Sequence, residues 1–234
     1  MKYCCAIVSI GVFVLMTGCT TTAWIQKNFD AVKPGMDTVS VLFPQIEFSE
    51  RVGEVNKLKS GSSIFVSKNV AEAVKELVDR GKFIPKAAVI ADDSVVLDQW
   101  FRSYSSKSMA SFKTIKDSLA APGETKILPV GQEILSLIDR LPSKYFIFIA
   151  GVGYRFSKAT KQYAFEQEQI YRMFYDRPNM TKNQYYGLKL LFALVEVKSK
   201  EVLWYTYNGD ENSQYDPLVK EEVQQLCSAL LLQK

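Results

Sequence analysis

Histidine is absent from all 234 residues. Its absence excludes Ser-His-Asp and Cys-His activation of a nucleophile. It also excludes the zinc sites that need imidazole. Cysteine is scarce: Cys4 and Cys5 sit in the first residues, and only Cys19 and Cys227 follow. That is too few for an all-cysteine zinc site, and no metal or cofactor is implied. Gly-x-Ser-x-Gly, Ser-x-x-Lys and P-loop patterns are missing too. The acidic pairs give little in their place. Asp92 and Asp93 precede a helical pattern, where negative charge suits the N-terminal dipole. Glu166 and Glu168 stand two residues apart in a helical stretch and face different ways. Nothing here assembles a catalytic constellation, so the expectation is a protein that is not an enzyme. Charge of one sign is not in great excess either. The formal net charge is +4, which does not call for a nucleic-acid partner.

Long apolar runs are also lacking. The longest, Ala6 to Met16, is eleven residues, interrupted by Ser9 and Gly11. A helix that spans the hydrocarbon core needs about 20. The run follows Lys2 and ends in Thr17 and Gly18. A positive residue, a short apolar core and small residues make the layout of a secretory signal peptide. Cys19 stands directly after it. Met16-Thr17-Gly18-Cys19 resembles the lipobox of bacterial lipoproteins, with Met16 where leucine is usual. The resemblance implies cleavage between Gly18 and Cys19 and a diacylglycerol on the Cys19 thiol. Several acyl chains anchor a protein stably where one does so only marginally. Thr20 is not the aspartate that retains enterobacterial lipoproteins in the inner membrane. The expected location is therefore the outer membrane, with the body facing the periplasm. The alternative is an ordinary signal peptide with an incidental cysteine.

Removing residues 1–18 leaves 216 of the 234 residues and takes away one charge, that of Lys2. Hydrophobic residues are 47% and charged residues 23%, the balance of a folded domain. Residues 19–36 read as a lipidated cysteine and tether that ends at Pro34-Gly35, and residues 37–234 as one periplasmic domain. Only Cys227 remains in that domain, within an apolar helical pattern, so it reads as a small buried hydrophobe.

Along the domain, Thr38–Phe48 is rich in β-formers and is broken by Pro44. Residues 49–62 read as a loop or loose hairpin. Ser67 is placed to cap a helix whose Val70, Ala73, Val74, Leu77 and Val78 share one face, and Gly81 stops it. A short strand is expected at 87–91. Helices follow around 92–104, 109–119 and 133–140. Lys144–Phe156 and Tyr186–Tyr207 give the strongest strand signals, the second bent at Ser199-Lys200. Leu190, Phe192 and Leu194 alternate with Leu191, Ala193 and Val195, so both faces of that strand are apolar and it is central. A closing helix runs from about Pro217. The sum is an α/β (α+β) fold: a mixed sheet of about five strands with helices packed on it.

The order of these elements resembles a known group of periplasmic lipoprotein domains. It is carried by "LPSKYFIFIAGVG" from Leu141, the long strand with its tight turn, "EVLWYTYNGDE" from Glu201, and a closing helix. The group includes the curli-secretion channel lipoprotein, the TolB amino-terminal domain and the activator lipoprotein of a peptidoglycan synthase. Its "D-x-x-T-G-x-x-x-W" turn is matched in register by Glu196, Lys200 and Trp204, without the glycine. The resemblance implies an assembly or docking protein of the envelope, with an envelope protein as partner and homo-oligomers within reach. No pair of strands has the length and pattern of a membrane pore.

Residues 157–186 separate the two long strands, where a hairpin needs only a few. Between Arg155 and Lys189 there are seven basic residues against three acidic ones. The candidate partner surface is Tyr163, Phe165, Tyr171, Arg172, Phe174, Tyr175 and Arg177, residue types enriched at interaction surfaces. A glycan-binding surface for peptidoglycan or exported polysaccharide is the alternative reading of the same rings. The bland reading is that Tyr163, Ile170 and Phe174 form the buried stripe of a surface helix.

Overall fold

The computed structural model describes residues 21–27, 29–53, 55–81, 87–90, 112–130, 135–136, 138–175, 185–208 and 215–231. Gly18, Cys19, the Asp92-Asp93 pair, the helix expected at 92–104 and Arg177 lie outside them. In chain order the elements are β1 (Thr21–Ile25), α1 (Phe29–Val32), β2 (Thr38–Val41), β3 (Gln45–Val52), β4 (Val55–Leu58) and α2 (Ser60–Asp79). Then come β5 (Ala87–Ile90), α3 (Phe112–Ala120), β6 (Tyr145–Phe156), α4 (Lys158–Tyr175), β7 (Tyr186–Glu196), β8 (Val202–Asn208) and α5 (Lys220–Leu231). Among the described residues no helix is long and apolar enough to cross a membrane.

The α/β class holds, but the mixed sheet has eight strands where about five were expected. The additions are short. Thr38–Phe48 splits at Pro44 into β2 and β3, because proline has no N–H for a ladder. The 49–62 stretch supplies β4, which turns back on β3 through Gly53 at φ 62°. The third addition is β1.

Strand β6 is long enough to serve two partners on one edge. Its first residues pair with β2 in parallel, which in turn pairs with β5. Its last seven, from Ala150, pair in parallel with β3. On its other edge β6 runs antiparallel to β7 over eleven pairs, from Tyr145↔Glu196 to Arg155↔Tyr186. β8 and then β1 complete that side. The alternation in β7 works as the sequence implies. Leu190, Phe192 and Leu194 join a core under α2 and α5, whereas Leu191, Ala193 and Val195 join a second core that includes Ile115 and Leu119 of α3. Gly151 in β6 has no room for a side chain: a Cβ would stand 2.6 Å from the Lys189 carbonyl oxygen. Beyond the end of β8, the buried Asn208 side chain extends the ladder. Its Oδ1 accepts from Leu190 N at 2.6 Å and its Nδ2 donates to Leu188 O at 2.8 Å.

Two local expectations change. Helix α2 begins at Ser60, seven residues before the expected cap, and Ser67 is buried inside it. Ser63 Oγ accepts from Phe48 N at 2.9 Å, and that tie to β3 holds the added turns in place. Gly81 does end the helix region in the left-handed conformation, at φ 67°. The segment 19–36, expected as a tether, is not one from Thr21 onward. β1 pairs residue for residue with β8, from Thr21↔Asn208 to Ile25↔Trp204. Trp24 stacks on Tyr205 at 5.7 Å, and Tyr205 on Tyr207 at 6.3 Å. Lys126, itself buried, sets its ammonium 5.2 Å over the Trp24 ring and donates to Ala121 O at 2.6 Å. This ring column holds a strand that five residues of modest propensity would not form alone.

Candidate functional site

The register fixes what lies at each end of the sheet. At one end β3 and β6 finish, β7 starts, β8 finishes and β1 starts. The insertion emerges at that end. At the other end lies the β7–β8 turn, in which Lys200 adopts φ 61° and its Nζ donates to Asp139 Oδ1 and Val197 O, each at 2.5 Å.

The insertion is braced at its root. Ser157 caps α4: its Oγ accepts from Thr160 N at 3.1 Å, as an N-cap serine does. Its own N–H donates to Arg51 O at 2.9 Å. Thr160 Oγ1 accepts from Gly53 N at 3.0 Å, so the first turn of α4 is tied to the β3–β4 turn. Phe156 N donates to Tyr185 O at 2.7 Å and closes the neck where the chain returns. Around this neck the rings of Tyr154, Phe156 and Tyr185 meet at 6.1 Å spacings. Arg51 lies 5.2 Å over Phe156 and Lys161 lies 5.8 Å over Tyr185. Gly187, opposite Tyr154, leaves space for that ring; a Cβ there would be 2.7 Å from Tyr154 Cε1. Arg155 pairs with the buried Asp216 at 3.3 Å. Burial, and then the Arg155 charge, pull the Lys161 ammonium below the usual lysine range, with Asp216 opposing. Burial pushes the Tyr154 phenol up, against the pull of Arg51.

Beyond the root, α4 meets water with apolar side chains. Tyr163 is 64% exposed, Phe165 51% and Ile170 45%. Tyr163 and Ile170 are therefore not a buried stripe. Tyr171, Arg172, Phe174 and Tyr175 continue the same helix, and the positions of their side chains lie outside the described residues. Glu166 bonds Gln162 at 2.7 Å and faces solvent. Among the described residues no group of three His, Cys, Asp or Glu could hold a metal ion.

A second exposed surface was not visible in the sequence. All four residues of β4 are exposed, with Val55 at 59% and Leu58 at 54%. Val52, which pairs with Val55, adds to it. Among the described strands β4 pairs only with β3, so its outer edge presents free backbone groups. The signal that could have found it is Val52-Gly53-Glu54-Val55, a glycine between two β-branched residues. Cys227, by contrast, is fully buried under the sheet, and burial pushes its thiol far above the usual range.

No family model matches the chain, and no curated protein matches it by sequence. Among solved structures, the PelC dodecamer from Paraburkholderia phytofirmans is similar at TM-score 0.38 and 10% identity, over 91% of this chain and 94% of that one. A single-residue variant of that PelC, also a dodecamer, gives TM-score 0.37 and 11% identity over 91% and 96%. A likeness this distant carries no function to this chain.

Proposed function

We propose that the chain is a non-catalytic lipoprotein of the bacterial envelope, anchored through Cys19, whose folded body docks a partner in a periplasmic or outer-membrane complex. The leader supports the location: a short apolar run closed by Met16-Thr17-Gly18-Cys19. The lack of histidine supports the non-catalytic part. The observation that carries the docking role is the bare β4 edge. Proteins that stay alone guard such an edge with charge, proline or a covering element. Here Lys57 is the one charge of the strand, and Val55 and Leu58 lie open on its two opposite faces. A partner strand laid along β4 would satisfy the free backbone groups and set its own side chains beside Val55 on one face and Leu58 on the other, the mode of β-augmentation.

A photo-reactive residue placed at Val55 or Leu58 of the full chain, activated in cells, tests the reading. The expected result is one discrete adduct, to an envelope protein or to a second copy, and none from the same residue at Lys198 in the β7–β8 turn. Equal adducts at Lys198 and Leu58, or none at either, would remove the docking role. Intact mass of the cell-derived chain reports separately on the Cys19 acyl group.

A further inference from the structure

We infer that the insertion helix α4 is a second membrane contact, laid on the lipid surface that receives the acyl chains of Cys19. The inference rests on the anchoring of Cys19 proposed above. Its basis is the chain length left between that cysteine and the fold. Strand β1 begins at Thr21, so Thr20 alone separates Cys19 from a hydrogen-bonded strand. Two residue steps reach at most about 7 Å. A body on so short a leash cannot stand off from the bilayer.

The register then decides which part of the body faces the bilayer. Thr21 pairs with Asn208, and Asn208 holds Leu190, which pairs with Gly151. From that level β6 climbs five more residues to Phe156, which is about 17 Å at strand rise. β1 enters the sheet from this same end. The reach from Thr21 to Cys19 is thus shorter than the climb of the β6–β7 hairpin beyond Thr21. A membrane plane that takes the Cys19 chains meets the top of that hairpin and the helix it carries.

The chemistry of that end fits a lipid surface. Tyr163 and Ile170, seven residues apart, are exposed apolar groups on one face of α4, and an amphipathic ring favours the headgroup boundary. The helix itself, Lys158–Tyr175, carries Lys158, Lys161 and Arg172 against Glu166 and Glu168, a small cationic excess that suits anionic headgroups. The root bonds through Ser157 and Thr160 hold the helix at this end. Among the described elements α4 packs on β3 and covers neither face of the sheet.

The test uses the full chain isolated from cells and reconstituted into phosphatidylethanolamine–phosphatidylglycerol vesicles that contain nitroxide-labelled lipid. Cys227 is buried, so a thiol fluorophore reports from single introduced cysteines at Tyr163→Cys, Phe165→Cys, Ile170→Cys and, at the far end, Lys198→Cys. Lipid quenching at Tyr163→Cys and Ile170→Cys is expected to exceed that at Lys198→Cys several-fold, with Phe165→Cys, on the opposite face of α4, below both. In acylated protein, equal weak quenching everywhere, or stronger quenching at Lys198, overturns the inference. Shielding of Tyr163 in cells by a protein adduct, without lipid quenching, overturns it too. If intact mass shows no acyl group, the anchor reading falls by itself. Quenching at Tyr163 on added vesicles would then still uphold the lipid contact, and its absence would end both.

Discussion

Two connections leave the central strands of this sheet, one at each end, and they solve the same problem differently. At the β7–β8 end the chain reverses within a few residues. Lys200 takes a left-handed φ, its ammonium donates to Val197 O and Asp139 Oδ1, and the Ser199 hydroxyl donates to Glu196 Oε2. At the β6–β7 end the strands are just as close, with Phe156 N only 2.7 Å from Tyr185 O. A hairpin could close there, yet the chain departs into an 18-residue helix with bare rings. The short turn is explained by its own hydrogen bonds. The long one exceeds what the close strands need, and among its described residues Tyr163, Phe165 and Ile170 are exposed. A connection that the fold does not require is where a surface for something else is built.

The comparison breaks most sharply at Gly151. A Cβ there collides with the Lys189 carbonyl and with Leu190 Cδ2 at 2.8 Å, within the hairpin that carries the insertion. Gly151→Val should destabilise the whole domain by about 3 kcal/mol or more, or leave it unfolded, as read from the urea midpoint. A midpoint like that of the parent would show that the hairpin is looser than its register implies. The next effect is local. Ser157→Ala removes the cap of α4 and should cost about 1 kcal/mol. Hydrogen exchange should rise in the first turns of α4 and stay level at the β7–β8 turn. Equal loosening at both ends would mean that the insertion is part of the core after all. The smallest effect sharpens the contrast. Replacing Tyr163 and Phe165 together with alanine should move the urea midpoint by no more than about 0.5 kcal/mol in stability, the range of exposed sites. A larger loss would return these rings to the fold and take them from the membrane.

Much of the architecture was legible residue by residue. The two-faced alternation in β7, the break at Pro44, the apolar face of α2 and the glycine stop at Gly81 all follow from local rules, and each appears in the structure. The missed elements have one cause in common. β1 exists because Trp24 finds Tyr205 and the Lys126 ammonium, both remote in sequence. The extra turns of α2 exist because Ser63 holds Phe48. β4 was open in the sequence, where 49–62 reads as a loop or loose hairpin, and the turn at Gly53 that lays it on β3 decides for the hairpin. Short segments of middling propensity take their structure from what they meet. The candidate surface was half legible. Aromatic and basic residues mark 157–186, but periodicity alone left Tyr163 and Ile170 equally suited to a buried stripe.

Sequence by itself determined that no histidine is available to a site here, and it determined the central hairpin with its two greasy faces, since each depends on residue type or on spacing within one segment. Tertiary structure alone decided that the chain is a paired strand from Thr21 onward, that β1 and the insertion share one end of the sheet, and that Tyr163 and Phe165 of α4 face water. Those are facts of register and burial, and register is set by partners far away in the chain.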